Sequence, residues 1–542
     1  MFNSLVRELL VIEAEVHQQL RAFLREQGEP HWHHHLTMAR LVARALRLGR
    51  NALIQTGIPA ELHGRYRLSY LMPALLWPEP TILVVPQELQ QRLLLVDLPR
   101  LREWLPSPKP IQTGDRFPYS NFQGLLITTP ESWLRDRLNH EGRFPAGIPT
   151  ILDGADDLET LARQVLTAHL PPTAWDELML AHPEHIELIR DSRVRLTHAI
   201  FQHPPNPYDC FLLEAAEITI LQQLLRQLAA DSPLPQPEPQ VDDRKTEELR
   251  LGAIAHLPHP WHRFAQHCTS ENRLIWADVN RQYGHISLHG CPAELALALE
   301  PIWTQQPLVL IGGAVDLEPE APIYRQRLGL GDVTCLKFCP DRQQELIQLY
   351  LPDGLPLPNT PQFQPALLSE IRGLLGANTS RQGLTVVLVG DVPLKSQVAS
   401  ALAAEYGSRV QVEKTQLDEH GILVTGWEFW RNSHTALPAP QLLIVTTLPI
   451  PSLEDPLIAG RVNYYKRHRQ DWFRLFLLPN ALSELQRAIA PMRESQGVVA
   501  LLDNRVNYRS YGKQVLAALT PLARINYIDA SLFTHFDCTP ID

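Results

Sequence analysis

The fold is decided by residues 52–86, ALIQTGIPAELHGRYRLSYLMPALLWPEPTILVVP. The opening apolar run, Ala52-Leu53-Ile54, predicts a short buried strand, which leads through Gly57 into an irregular stretch that ends at Gly64. Leu68–Leu75 predicts a helix, and Thr81–Pro86 predicts the next buried strand. A strand, a glycine loop, a helix and a second strand in this order are typical of a phosphate-binding loop in an α/β protein.

The loop lacks the residues that a working phosphate-binding loop requires. Such a loop ends in Gly-Lys-Ser/Thr, in which the lysine reaches the terminal phosphates and the hydroxyl binds magnesium. Here the register of the helix places Tyr66 at the lysine position and Arg67 at the hydroxyl position, and Pro59 has no N–H to donate. The segment is therefore either a nucleotide loop that has lost its chemistry or an ordinary strand–loop–helix unit. The candidate nucleotide-binding residues of this degenerate loop are Gly57, Gly64, Arg65 and Arg67.

Composition indicates a soluble, reduced protein of several domains. The chain has 542 residues, 44% of them hydrophobic and 20% charged, which suggests two to four domains with ample core. A net charge of -10 argues against broad electrostatic adhesion to nucleic acid, although a local basic groove remains compatible with it. Of six cysteines only Cys335 and Cys339 lie close together, and no second pair completes a four-ligand set. We expect no metal site, including at His31–His35, where adjacent residues do not share a helix face.

The patterns also indicate where the protein acts. Residues 1–29 carry acidic side chains within an apolar pattern, unlike a signal peptide, and no apolar run reaches membrane-spanning length. By elimination we expect a cytoplasmic protein that does not contact membranes.

Strands alternate with helices over most of the chain, which predicts parallel sheets in two α/β lobes. The strand at 148–153 ends in acids, Asp153, Asp156 and Asp157, which we expect at the carboxyl edge of a sheet, where ligands bind in such folds. Residues 158–228 show helical patterns throughout, 232–240 form a Pro-rich linker, and Leu274–Leu288 alternates like a hairpin. The predicted division is an N-terminal helix (1–35), first lobe (36–157), helical insertion with linker (158–270), return to the first lobe (271–330) and second lobe (331–542).

In this order the segments resemble the DinG/XPD family of superfamily 2 DNA helicases, over about residues 36–519. The resemblance is most specific in the second lobe, where two blocks match the family's "SFWEGVD…LPG…KLPF(P)…DPL" and "LP…QGIGRLIR…GVV.LLDRR" patterns. The residues that carry it are Phe429-Trp430, Leu437-Pro438, Leu448–Pro451, Asp455–Leu457, Leu478-Pro479, Gln486, Arg493, Gly497–Arg505 and Tyr511-Gly512. Residues 324–330, YRQRLGL, resemble the "F..RLGL" that follows the family's third motif. The resemblance implies two RecA-like lobes with a helical insertion in the first.

The same comparison shows which reactive residues are missing. The family's Asp-Glu-Ala-His motif is Asp153-Gly154-Ala155-Asp156, so the magnesium-side Asp153 remains while the glutamate that polarises the attacking water is lost. Gln486 and Arg493 remain in the closing motif, but the arginine that would touch the terminal phosphate is Ala490. The catalytic remnants implied by the resemblance are thus Asp153, Gln486 and Arg493. Since residues 66–153 contain no cysteine, we expect none of the iron–sulfur clusters that family members often carry there.

Three functional hypotheses follow. The first is a DinG/XPD-like protein without ordinary ATPase activity that acts as a nucleic-acid-binding or scaffolding module, with no cofactor. Its expected contacts to single-stranded nucleic acid, preferably DNA, are Thr128, Thr129, Trp427 and Trp430. The second is an active ATP-dependent DNA helicase that uses ATP and magnesium, with Arg65 and Arg67 replacing the lysine. The third is a protein–protein scaffold that uses the helical insertion.

Overall fold

The computed structural model describes residues 12–27, 32–57, 64–106, 109–230, 257–342, 345–378, 383–418, 420–528 and 533. Pro59, the start of the N-terminal helix and the Pro-rich linker at 232–240 lie outside the described residues. In the described part of the chain, no helix combines the length and the apolarity that crossing a bilayer requires.

Eighteen strands occur in the described residues. In chain order they are β1 Ala52–Gln55, β2 Thr81–Val84, β3 Ile111–Thr113, β4 Leu125–Thr128, β5 Thr150–Asp153, β6 Ala168–Leu170, β7 Cys210–Leu212, β8 Leu274–Asn280, β9 His285–Cys291, β10 Leu308–Gly312, β11 Thr334–Lys337, β12 Ile347–Tyr350, β13 Thr385–Leu388, β14 Val410–Val412, β15 Ile422–Thr425, β16 Leu442–Val445, β17 Val498–Leu501 and β18 Leu522–Ile525.

The α-helices of the described residues are, in chain order, α1 Ile12–Gln27, α2 His35–Leu48, α3 Leu68–Leu76, α4 Gln87–Arg92, α5 Leu98–Trp104, α6 Pro130–Asn139, α7 Leu158–Leu166, α8 Ala174–Ala181, α9 Ile186–Phe201, α10 Ala215–Ala230, α11 His259–Thr269, α12 Ala296–Trp303, α13 Pro322–Leu328, α14 Phe363–Ala377, α15 Val392–Tyr406, α16 Trp427–Ser433, α17 Pro456–Arg467, α18 Leu478–Ser495, α19 Arg505–Tyr508 and α20 Gly512–Leu519. Short 3-10 turns lie at Ala155–Asp157, Pro183–His185, Gly407–Arg409 and His434–Ala436, and π-helical turns at Leu93–Asp97 and Phe473–Leu477.

Two seven-stranded parallel sheets form the two lobes. The first has the order β11-β1-β10-β5-β2-β4-β3 and the second β14-β15-β13-β16-β17-β12-β18. The central strands are buried along their whole length, because helices cover both faces of each sheet. Two parallel sheets covered by helices agree with the predicted class of two α/β lobes. Helix α1 packs into the core of the first lobe through Val16, Leu20 and Phe23.

The insertion in the first lobe contains a sheet as well as helices. Strands β6, β9, β8 and β7 pair antiparallel in that order, and α8–α11 cover one face of the sheet. The predicted hairpin is present as β8–β9. The prediction of continuous helix was wrong at β6 and β7, because each strand has only three residues and shows no clear period.

The domain boundaries differ from the predicted ones. Helix α7 packs on the first sheet through Leu158 and Ala162, so the insertion runs from β6 to β9, residues 168–291. Strand β11 pairs with β1 beyond the predicted boundary at 330, so the first lobe continues to Lys337. Neither correction was visible in the sequence, because α7 shares the helical period of the insertion and β11 is a short edge strand with an exposed threonine.

Candidate nucleotide and nucleic-acid sites

The carboxyl ends of β1, β5 and β10 meet at one edge of the first sheet, and Asp153 lies there with no solvent exposure. The Tyr66 hydroxyl donates to Asp153 Oδ1 and the Tyr70 hydroxyl donates to Asp153 Oδ2, both at 2.8 Å. Both phenols are fully buried. Burial, followed by the Asp153 charge, raises the pKa of each tyrosine well above 10, so both hydroxyls stay protonated and act as donors. Tyr66 therefore places a neutral donor on Asp153 at the position predicted for the lysine.

The two loop arginines take part in ion pairs of the protein itself. The Arg67 side chain is 2% exposed, and its Nη1 lies 3.8 Å from Asp97 Oδ2. Gly64, at φ +49°, leaves room for this guanidinium, since a Cβ there would lie 2.0 Å from Arg67 Cζ. Arg65 Nη2 lies 3.5 Å from Glu494 Oε1 of the second lobe. Gly57, at φ +75°, holds the end of the strand against β10 by donating to the Gly313 carbonyl.

The residues after Asp153 stabilise the edge of the sheet. Gly154 has φ +96°, a left-handed conformation that is strained for any residue with a Cβ. Asp156 accepts from the backbone N–H groups of Gly313 at 2.7 Å and Ala314 at 2.8 Å. Burial raises the pKa of Asp156 although these N–H groups act in the opposite direction. The acid at this position thus connects β5 to the loop after β10.

The two closing-motif remnants on α18 face the interior of the second lobe. Gln486 donates to the Ala518 carbonyl at 3.1 Å. Arg493 is 7% exposed and donates to four carbonyls, those of Glu345, Leu519, Thr520 and Pro521. Ala490 is buried as well. These contacts join α18 to neighbouring elements of the second lobe. Both side chains thus bind carbonyls of the protein itself.

A magnesium–nucleotide group does not fit the residues of this edge. The carboxylate that would hold the metal accepts two tyrosine hydroxyls, and the phenol of Tyr66 occupies the lysine position. No carboxylate side chain is present at Gly154, and no guanidinium at Ala490. Of the catalytic residues that the resemblance implies at this edge, Asp153 is present.

A cavity lies between the lobes and the insertion. Its volume is about 1020 Å³, and it is lined from the first lobe by Asp156 and Asp157, from the insertion by Tyr208, and from the second lobe by Trp427 and Arg487. The charged residues of its lining are balanced, six acids and six arginines: Asp156, Asp157, Glu159, Asp391, Asp455, Glu484, Arg163, Arg327, Arg431, Arg461, Arg487 and Arg505. Each of these arginines lies within ion-pair distance of a carboxylate.

Comparison with known proteins agrees with this architecture. A family model described as "Helicase C-terminal domain" matches residues 436–522. The chain is similar to the ATP-dependent DNA helicase YoaA of Escherichia coli, with 23% identity over 293 residues, covering 51% of this chain and 43% of that protein. It is also similar to YoaA of Haemophilus influenzae, with 27% identity over 216 residues, covering 37% and 33%. The chain thus spans less than half the length of these curated relatives.

Solved structures show the same fold. Xpd4 of S. tokodaii superposes with a TM-score of 0.57 at 11% identity, covering 91% of this chain and 100% of that chain. An apo XPD structure superposes with a TM-score of 0.53 at 13% identity, covering 90% and 100%. The sequence relatives and the shared fold support a resemblance of this chain to the DinG/XPD-type helicases of superfamily 2. The resemblance found in the sequence is therefore confirmed.

The four side chains expected to contact nucleic acid have different environments. Thr128 is buried at the end of β4, and Thr129 caps α6 by accepting from the Ser132 N–H at 3.2 Å. Trp430 is 1% exposed and its indole N–H donates to the Ala488 carbonyl at 3.1 Å, so it belongs to the core and cannot stack on a base. Trp427 lines the cavity against Gly390. Of the four, Trp427 alone lines the inter-lobe cavity.

The metal-ligating side chains of the described residues do not cluster as a metal site requires. No group of three or more His, Cys, Asp or Glu side chains there could hold a metal ion. The cysteines in this part of the chain, Cys210, Cys268, Cys291, Cys335 and Cys339, are free thiols.

Sequence reasoning missed three important contacts around the two sites. Tyr70 was treated only as a helix residue, although it lies one helical turn after Tyr66 and so faces the same side. Arg487 directly follows Gln486 and forms a bidentate pair with Asp157. Glu159 pairs with Arg163 one helical turn away and with Arg327 and Arg461 from distant segments, and no local pattern could reveal the two distant pairs.

Proposed function

We propose that this chain is a DinG/XPD-type module that binds single-stranded nucleic acid between its lobes and does not hydrolyse ATP. The observation that supports it best is the pair of tyrosine hydroxyls on Asp153. This pair occupies both oxygens of the carboxylate that a helicase of this type would need for magnesium. The protein would retain the strand-binding architecture of the family without its motor.

The magnitude of the chemical loss supports the absence of turnover. Loss of an arginine that stabilises the transition state costs roughly 10³–10⁵ in rate by itself. Here the missing arginine, at Ala490, is combined with changes at Tyr66, Arg67 and Gly154. Together these changes should lower the rate of hydrolysis further, although their effects are not additive. Restoring the glutamate at Gly154 would strain a backbone with φ +96°.

Strand binding does not depend on the lost residues. Single-stranded nucleic acid is held by phosphate contacts and by bases stacked on aromatic rings. The inter-lobe cavity is lined by Trp427 and by six arginines, and its volume is about 1020 Å³. Phosphates of a bound strand could contact these arginines only if the existing ion pairs rearranged. Because backbone phosphates must compete with the existing carboxylates, we expect weak binding that falls steeply with salt.

Nucleotide binding and turnover test the first half of the proposal. Calorimetric titration with ATP and magnesium should give no heat of binding, and single-stranded DNA should not stimulate hydrolysis. DNA-stimulated turnover on the order of 1 per second, the low end for phosphoryl-transfer enzymes, would overturn it if Asp153→Ala abolished that turnover.

Fluorescence anisotropy with a labelled oligonucleotide at two salt concentrations tests the second half. Trp427→Ala should weaken binding by about 1–3 kcal/mol if its ring stacks on a base. Tyr527→Ala removes a ring that is 59% exposed and does not line the cavity, so it should leave affinity unchanged. An affinity that changes with ATP would support the active helicase instead.

A protein-binding role is the second candidate, favoured by the surface of the insertion. Leu180, Val194 and Tyr283 are 83%, 61% and 66% exposed, and Val194 borders a groove of about 440 Å³ that also contains Trp175 and Ile286. Exposed apolar side chains around a groove are typical of a protein interface. Capture of one defined partner by the wild-type chain but not by Val194→Asp, in a protein that binds no oligonucleotide, would favour this function.

A further inference from the structure

In addition to the Arg65–Glu494 pair, two clusters of ion pairs connect the lobes directly. Asp157 follows β5 in the first lobe, and Arg487 lies 330 residues later on α18 of the second lobe. Arg487 Nη1 donates to Asp157 Oδ1 at 2.6 Å and Nη2 donates to Oδ2 at 2.9 Å, which is the bidentate geometry of the strongest ion pairs. The Arg487 side chain is 12% exposed and the Asp157 side chain is 39% exposed, so solvent screens this pair in part.

The second cluster surrounds Glu159 in the first turn of α7. Its carboxylate accepts from Arg461 of the second lobe at 2.6 Å and is paired with Arg327 of the first lobe and with Arg163 at 3.5 Å. The Glu159 side chain is 15% exposed. The Arg461 guanidinium also lies 3.8 Å from the ring centroid of Phe476, a cation–π contact within the second lobe. Arg461 is therefore held from both sides of the boundary between the lobes.

We propose that these two clusters clamp the lobes in one arrangement without nucleotide. In the resembling helicases the closing motif presents an arginine to ATP, and ATP opens and closes the cleft. Here the corresponding helix, α18, has Ala490 at that position and presents Arg487 to a carboxylate of the opposite lobe. The clamp joins the lobes across the cleft that ATP opens and closes in those helicases. This inference does not depend on whether nucleic acid is the ligand.

The clamp accounts for the pairing of four cavity arginines, Arg163, Arg327, Arg461 and Arg487. A protein that changes its lobe arrangement during a cycle must break inter-lobe contacts at each step, and a ligand can shift the arrangement only by its differential affinity for the two states. Breaking a buried pair by removing one partner leaves an uncompensated charge, which is strongly unfavourable. The arrangement seen here would therefore remain closed whether or not ATP is present.

The distance between the lobes of the free protein tests the clamp. Spin labels can be placed at Leu95 of the first lobe, 78% exposed, and Val412 of the second lobe, 43% exposed, and their separation measured by pulsed electron paramagnetic resonance. The labels are introduced as cysteines after Cys335, Cys339 and Cys538 are replaced by serine. The wild-type background should give one narrow distance distribution that ATP with magnesium does not change.

Variants of the two clusters should broaden that distribution. Asp157→Arg and Glu159→Gln should each raise the ratio of open to closed molecules by about tenfold or more. The exchange Asp157→Arg with Arg487→Asp should restore the narrow distribution, which a misfolded variant could not do. The matched control is Glu484→Gln, which breaks the pair with Arg431 inside the second lobe and should change nothing.

Either of two outcomes would overturn the clamp. The distribution could stay narrow in Asp157→Arg and Glu159→Gln, or it could be broad in the wild-type background and narrow only with nucleotide. Since the experiment contains no nucleic acid, a failure of the clamp is distinct from a failure of the strand-binding proposal.

Discussion

Replacing Tyr66 by phenylalanine tests whether the tyrosine pair holds Asp153 as proposed. The change removes the hydroxyl that donates to Asp153 Oδ1 at 2.8 Å and almost conserves volume, so little cavity is created. A hydrogen bond to a charged group contributes about 1.5–3 kcal/mol, and Asp153 has no solvent exposure through which water could replace the lost donor. We therefore expect Tyr66→Phe to lower the free energy of unfolding by about 1.5–3 kcal/mol.

The assay is urea and thermal unfolding of the full chain, followed by circular dichroism. A loss of about 2 kcal/mol corresponds to about 4–8 °C in Tm for a domain of 150–250 residues. Tyr324→Phe is the matched control, because this buried tyrosine of the same lobe donates to the neutral Ala155 carbonyl at 2.6 Å. That change should cost only about 0.5–1.5 kcal/mol.

A double-mutant cycle shows whether the charge of Asp153 is responsible. In an Asp153→Asn background the acceptor is neutral, so Tyr66→Phe should cost no more than Tyr324→Phe does in the natural chain. The interpretation of the site fails if Tyr66→Phe costs the same with and without the Asp153 carboxylate. It also fails if Tyr66→Phe costs less than the control change.

Three further predictions concern stability. Burial alone would raise the pKa of Glu159, but the surrounding arginines outweigh it and hold that pKa at about 2 instead of 4.5. The contribution of the ionised Glu159 to the free energy of unfolding is therefore complete above pH 4.5 and is lost as the pH falls toward 2. In urea titrations, the stability difference between wild type and Glu159→Gln should shrink by about 3 kcal/mol across that range. Arg493→Ala should lower the unfolding free energy by about 3 kcal/mol or more because it leaves buried carbonyls without a donor, whereas Arg469→Ala, at an exposed position, should stay within about 0.5 kcal/mol. Trp430→Ala should cost about 3–5 kcal/mol in thermal unfolding, and the folded fraction should bind oligonucleotide as wild type does, unlike Trp427→Ala.

The lobes could be predicted from the sequence because their central strands are continuous apolar runs separated by helical periods. Such runs occur where helices cover both faces of a parallel sheet, so the pattern and the fold have one cause. Strands β6, β7 and β11 could not be predicted in this way. They are short or lie at an edge, and β6 and β11 pair with residues more than a hundred positions away.

The candidate site could be predicted only in part. The sequence indicated which reactive residues are missing, at Tyr66, Gly154 and Ala490, because each can be identified by comparing a single position with the family pattern. It could not indicate what the replacing residues do. Side-chain direction decides that Trp427 lines the cavity while Trp430, three residues later, lies in the core.

The residues that remain from the family pattern have structural contacts that explain their retention without any catalytic role. Asp503 is buried, accepts from the Leu448 N–H at 2.8 Å and pairs with Arg505, and so links the two conserved-looking blocks of the second lobe to each other. Arg493 and Gln486 bind carbonyls of the same lobe. These contacts lie within the second lobe, so they would persist in a chain that lacks a working ATP site, as we propose.

Under the proposed function, the residues at these positions would oppose a return to ATP chemistry. The Tyr66 hydroxyl is part of a buried hydrogen-bonded group on Asp153, and a lysine at position 66 would remove it. A glutamate at Gly154 would meet backbone strain at φ +96°. Each single reversion would therefore lower stability before it restored any activity, because the other positions would still lack the residues that turnover needs. If the motor is absent as we propose, packing opposes its recovery, independently of whether the chain binds a nucleic-acid strand or a protein.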